Sequence, residues 1–150
     1  MSLNNQRDYV DTLCRLFAKL LGRQPSVVAA YLFGSVVSGR QRPGSDIDVA
    51  LLIDREQFRA ASFDRKQLYD ALLPELCRAV RGDVHLLILN DASLLAQVQV
   101  FEKGRLFYES DSQQLAEFRS SSISQYADFS YVMEKTRDGF QNRLRCTSGQ

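Results

Sequence analysis

Leu32-Phe33-Gly34-Ser35 is followed, after ten intervening residues, by Asp46-Ile47-Asp48 at the head of an apolar run that ends at Ile53. Together they read as a phosphate cradle feeding a metal site. The apolar stretch from Val27 to Phe33 is expected to be a buried strand that turns at Gly34-Ser35 into a short helix. There glycine permits close backbone approach, and the helix N-terminus turns N–H donors toward an anion. Asp46 to Ile53 reads as the neighbouring strand. Side chains two apart on a strand share a face, so Asp46 and Asp48 project together while Ile47 and Val49 enter the core. Adjacent carboxylates repel and raise each other's proton affinity unless a cation lies between them. Oxygen ligands beside a phosphate cradle suit Mg²⁺, which keeps waters and shares substrate phosphates instead of demanding a protein cage.

Gly34-Ser35, ten residues, then Asp46-x-Asp48 resembles the signature of the DNA polymerase beta-like nucleotidyltransferase superfamily. The short chain, Gly39 and the Arg42-Pro43-Gly44-Ser45-Asp46 approach resemble its minimal nucleotidyltransferase (MNT) branch. The resemblance implies a third carboxylate on an adjacent strand, and Asp83, opening Gly82-Asp83-Val84-His85-Leu86-Leu87-Ile88-Leu89, is the candidate. The plainer alternative makes Asp83 a turn residue behind Gly82. His85 shares the Asp83 face by alternation; it reads as a half-exposed structural residue in preference to a residue lining the site.

On this resemblance Asp46, Asp48 and Asp83 are the catalytic and metal-binding carboxylates. They would hold two Mg²⁺ ions about 4 Å apart, one acidifying an acceptor hydroxyl and the other gripping the triphosphate of ATP or another NTP. Gly34, Ser35 and Ser45 would contact the phosphates. Arg40 and Arg42, in the loop before the carboxylates, would add contacts or else be simply solvated. Phosphoryl transfer of this kind is mostly positioning and charge stabilisation.

The elements that must position these groups are legible as periodicities. Tyr9, Val10, Leu13, Leu16, Phe17, Leu20 and Leu21 recur at helical steps up to Gly22. A second helix is expected over 64–80, with the stripe Leu68, Leu72, Leu76, Val80 and a kink or split at Pro74. Asn90-Asp91-Ala92-Ser93 reads as a cap before a helix over 94–101, and Arg105 to Tyr108 as a short strand. From Asp111 to about Arg145 a helical stripe of Leu115, Phe118, Tyr126, Phe129, Val132, Met133 and Phe140 is interrupted by Ser120-Ser121-Ser122. The expected fold class is α/β (α+β), the polymerase beta-like nucleotidyltransferase fold: a small mixed sheet flanked by helices, with a long C-terminal helix. Residues 1–110 would form the nucleotidyltransferase domain and 111–145 its helical extension.

The 150 residues suffice for one core, and 19 basic against 18 acidic residues leave a net charge of +1, so nothing global favours duplex nucleic acid. Cys14, Cys77 and Cys146 match neither a zinc site nor a disulfide framework and read as reduced thiols of a cytoplasmic protein. No apolar run approaches a membrane span or a signal-peptide core.

The catalytic residues do not name the acceptor. The resemblance implies an antitoxin that transfers AMP from ATP to a tyrosine of a HEPN-domain toxin. Two alternatives stay open: a small-molecule, antibiotic-type nucleotidyltransferase, which usually carries a further substrate domain, and a non-catalytic antitoxin acting by binding. Because the aromatic stripe of 111–145 exceeds what a small sheet covers, Tyr126 and Phe129 are the expected partner anchors. A homo-oligomer is left open.

Overall fold

Strand β1 (Val27–Phe33) carries apolar side chains on both faces, six of its seven residues are buried, and that decides the architecture: a sheet covered on both sides. The computed structural model describes residues 3–40 and 44–148; Arg42 and the side chain of Cys146 fall outside that part. Helix α1 (Leu3–Leu21) buries Val10, Leu13, Cys14, Phe17 and Leu21 along one stripe. After β1 a single turn, α2 (Ser35–Ser38), leads to β2 (Ile47–Ile53), which runs antiparallel to β1. Helices α3 (Arg55–Arg59) and α4 (Arg65–Val80) carry the chain back, so that β3 (Val84–Ile88) runs parallel to β2, a pairing that needs such a crossover. A 3-10 turn at Leu89–Asp91 and helix α5 (Leu94–Lys103) precede β4 (Arg105–Glu109), antiparallel to β1. The sheet order is β3-β2-β1-β4, and helix α6 (Ser112–Ser148) follows it.

Alternation along β2 sorts the two core layers. Ile47, Val49, Leu51 and Ile53 meet Leu13 and Phe17 of α1 and Leu68, Leu72 and Leu76 of α4. Ala50 and Leu52 join Val28, Ala29 and Tyr31 of β1 against Val100 and Phe101 of α5 and Leu115 of α6. Asp46 and Asp48, being in phase with Ala50, therefore emerge on the α5/α6 side of the sheet, where the strand begins and this cover stops.

Three local features refine the expected elements. Pro74 lies inside α4 without splitting it, and the buried stripe of Leu68, Leu72 and Leu76 spans the proline. The expected long C-terminal helix runs unbroken through the serine triplet that interrupts its apolar stripe: Ser122 is buried, and its hydroxyl contacts Gln97 Oε1 at 2.8 Å and the Phe118 carbonyl at 3.0 Å, which satisfies it within the helix. Helix α3 was not expected; it forms because Asp54 caps it, accepting from the Gln57 amide at 3.1 Å.

Helix α6 divides into two unlike halves. Its first turns are tied to the body, with Gln114 Nε2 donating to Asp54 Oδ1 at 3.0 Å, Gln114 Oε1 accepting from the Arg55 amide at 2.9 Å, and Arg55 pairing with Glu117 at 3.1 Å. Beyond Ser122 the described residues are exposed, apart from half-buried Tyr126 and Gly139, and Phe129, Tyr131, Val132, Met133 and Phe140 are all open to solvent. Among the described residues no helix is long and apolar enough to cross a membrane.

Candidate active site

Gly34 has φ +74° and ψ −150°, a backbone conformation that favours glycine, and its strand neighbour Phe33 pairs with Asp48 of β2. A Cβ added at Gly34 would lie 2.3 Å from Asp48 Oδ2, so any side chain here would collide with the carboxylate. The glycine of the cradle and the second aspartate are thus one packed unit. Buried Val36 anchors the α2 turn, and the Gly34 carbonyl accepts from the Val37 and Ser38 amides at 3.2 and 3.1 Å. Gly39, also at positive φ, closes the turn; its amide and that of Arg40 converge on the Ser35 carbonyl. This leaves half-buried Ser35 at the start of the turn, where a helix's first amides have no intrahelical acceptor. Arg40 is exposed at the end of the same turn, and Ser45 is half-buried just before Asp46.

Asp46 is exposed immediately before β2, and Asp48 is half-buried on it. The parallel register places His85 of β3 opposite Asp48, with His85 Nδ1 3.5 Å from Asp48 Oδ1. Burial pushes the Asp48 carboxyl above the ordinary carboxylate range and Asp46 adds to this, while the charge and hydrogen bond of His85 pull the other way. Asp83 stands two residues before His85, immediately ahead of β3. Its carbonyl accepts from the Ile47 amide at 3.0 Å, and this exposed residue lines a cleft of about 240 Å³ with Tyr9, Ser45 and Arg81, in which neither Asp46 nor Asp48 takes part. The turn ahead of β3 is made by Arg81, in the left-handed conformation at φ 53°. Among the described residues no three metal-capable side chains close into one cluster. The structure therefore brings Asp46, Asp48 and His85 to one place and sets Asp83 beside it. His85 is the residue that alternation alone undervalued; only the offset between two strands that are distant in sequence reveals what faces Asp48.

Two carboxylates are the usual protein share of a Mg²⁺–nucleotide site, water and phosphate filling the remaining positions. A carboxylate whose proton affinity is raised by burial, and further by a second carboxylate, is the kind of donor a cation relieves. The residues present fit a divalent ion.

A family model described as polymerase beta, nucleotidyltransferase, matches residues 17–113, which include β1, the cradle, both aspartates, Asp83 and His85. The chain belongs to the polymerase beta nucleotidyltransferase family. Solved structures extend the likeness of this nucleotidyltransferase. A chain of a toxin–antitoxin complex with AMP-PNP is 29% identical, with a TM-score of 0.66, over 85% of this chain and 98% of that one. A chain of the MntA–HepT toxin–antitoxin structure is 26% identical, with a TM-score of 0.62, over 87% and 98%. The same identity, TM-score and coverage hold for a chain of the Shewanella oneidensis complex between a tri-AMPylated HEPN toxin and its MNT antitoxin. No curated protein sequence matches the chain.

Proposed function

We propose that this nucleotidyltransferase is an MNT-type antitoxin that transfers AMP from ATP to a hydroxyl, most simply a tyrosine, of a HEPN-type toxin. The observation that carries the catalytic half is the seat of Asp48 against Gly34, which couples the phosphate loop to the carboxylate pair. The choice of acceptor is supported by the structural relatives, one of which holds a tri-AMPylated HEPN toxin.

In this reading Asp46 and Asp48 hold the cation, and the Gly34 backbone and Ser35 face the β and γ phosphates. Arg40 adds positive charge at the loop's end, and Ser45 closes the approach to Asp46. The acceptor oxygen bonds to the α phosphorus as the bond to the bridging oxygen breaks and pyrophosphate leaves. When bound, a divalent cation lowers the acceptor's pKa and neutralises the phosphates. Asp83, in the adjoining cleft, takes the acceptor proton directly or through water. The segment 111–145 serves as an extension that holds the toxin, with Phe129 and half-buried Tyr126 as anchors.

Incubation with ATP, Mg²⁺ and the protein encoded beside this gene is expected to add AMP to a tyrosine of that neighbour, read by mass spectrometry. The Asp46→Asn, Asp48→Asn double variant should leave it unmodified. An unmodified neighbour together with nucleotidylation of a small hydroxyl compound would replace the antitoxin reading with the small-molecule one. Asp83→Asn separates a proton acceptor from a turn residue: the first role loses transfer with NTP binding kept, the second lowers Tm with transfer kept.

A further inference from the structure

We propose that His85 is a nitrogen ligand of the divalent cation held by Asp48, so that this centre prefers Mn²⁺ to Mg²⁺. The inference rests on Asp48 being a cation ligand, and it departs from the all-oxygen site that the aspartates alone suggest.

Three observations carry it. First, the register of β2 and β3 sets His85 directly opposite Asp48, on the same face of the sheet, so the pairing is built by the strands and does not depend on a mobile side chain. Second, His85 Nδ1 and Asp48 Oδ1 are 3.5 Å apart. Two donors at adjacent positions of an octahedral ion with bonds of about 2.2 Å are roughly 3.1 Å apart, so an ion fits between them with a few tenths of an ångström of adjustment. Third, the imidazole does not contribute to the packing of the fold. Its side chain is 63% exposed, while Val84, Leu86 and Ile88 on the other face of β3 fill the core. Asp83, the carboxylate that would have kept the donor set all oxygen, lines the neighbouring cleft instead.

Ligand chemistry sets the preference. Mg²⁺ is a hard ion that takes oxygen donors, whereas first-row transition ions gain affinity from imidazole, and Mn²⁺ combines this with the octahedral, phosphate-tolerant coordination a nucleotide needs. Because Asp46, Asp48 and His85 supply only part of an octahedral shell, the triphosphate oxygens complete it, and ion and nucleotide bind together.

The chain contains a single histidine, which makes the test direct. Tag-free protein is mixed with Mn²⁺ and inorganic triphosphate, a nitrogen-free substitute for the nucleotide, and studied by pulsed electron paramagnetic resonance. The expected result is modulation from one directly bound ¹⁴N that becomes a ¹⁵N pattern when the protein is made with ¹⁵N-histidine, and that disappears in His85→Asp. Competition titrations should show the Mn²⁺ over Mg²⁺ preference falling about tenfold in His85→Asp. Bound Mn²⁺ without nitrogen coupling in the wild type, no Mn²⁺ binding, or an unchanged preference in the variant would each overturn the proposal. The labelled wild type needs no mutant, so a folding defect cannot mimic the result. A nitrogen signal with an unmodified neighbour protein would count against the toxin as substrate while leaving this ligand assignment standing.

Discussion

At the head of β2 the molecule gathers charge where burial disfavours it, whereas along the outer half of α6 it exposes rings that folding ordinarily hides. The two regions break opposite rules. Asp48 is half-buried beside a second carboxylate and against a glycine that leaves it no slack. Phe129, Val132, Met133 and Phe140 continue a stripe whose earlier members, Leu115 and Phe118, pack on the body. The first region is strained inside the fold and so should show its function by becoming more stable when disarmed. The second is not part of the core and should be removable without any effect on stability. Residues that act through a ligand and residues that act through a partner are thereby distinguishable by thermal unfolding alone.

The largest expected effect is at the junction of loop and carboxylate. Gly34→Val sets a branched side chain at positive φ and against Asp48, which should cost about 2–5 kcal/mol of stability and abolish transfer; retention of wild-type Tm would show that the loop and β2 are not coupled as described. Asp48→Asn comes next. It should lower transfer by about a thousandfold, roughly 4 kcal/mol in the barrier, yet raise Tm slightly at neutral pH. The sign follows from the raised carboxyl: the folded chain holds a proton that the unfolded chain has already released, so stability is fullest below the ordinary carboxylate range and declines as pH rises through the elevated value. The variant should flatten this decline, and a Tm series across acidic pH checks it.

On the helix the contrast sharpens. Phe129→Ala with Phe140→Ala should weaken the partner by at least about tenfold while leaving Tm and NTP binding within error; a large loss of Tm would mean that the outer half packs on its own body. The smallest effect is where the two halves of the comparison meet. Gln114→Ala removes the bonds between α6 and the Asp54 cap and should cost about 1 kcal/mol. The Gln114 side chain, with the Gln57 amide, holds the Asp54 carboxyl below its ordinary range, so this stabilisation is present above that range and fades as pH falls. The difference in Tm between wild type and variant should shrink in acid.

The elements were legible because each carries its own period. The α1 stripe, the doubly apolar β1 and the Ser93 cap announce themselves locally, and Gly34-Ser35 with Asp46-x-Asp48 resembles a nucleotidyltransferase signature in its spacing alone. Pro74 misled because propensity is a local cost that buried Leu68, Leu72 and Leu76 outweigh. The burial of Ser122 is not legible locally because its partner, Gln97, is twenty-five residues away.

By itself the sequence determined the succession of the strands and main helices, the two-residue spacing of Asp46 and Asp48 at the head of β2, and the stripe along α6, since all of these follow from spacing within a single segment. Only the tertiary structure decided that His85, not Asp83, faces Asp48, because the register of parallel β2 and β3 joins segments separated by the α3–α4 crossover and is not set by either strand alone. It likewise decided where the cover on α6 ends: a helix displays its apolar face by periodicity, but how far the sheet and α5 reach along that face depends on the size of the body against which it lies.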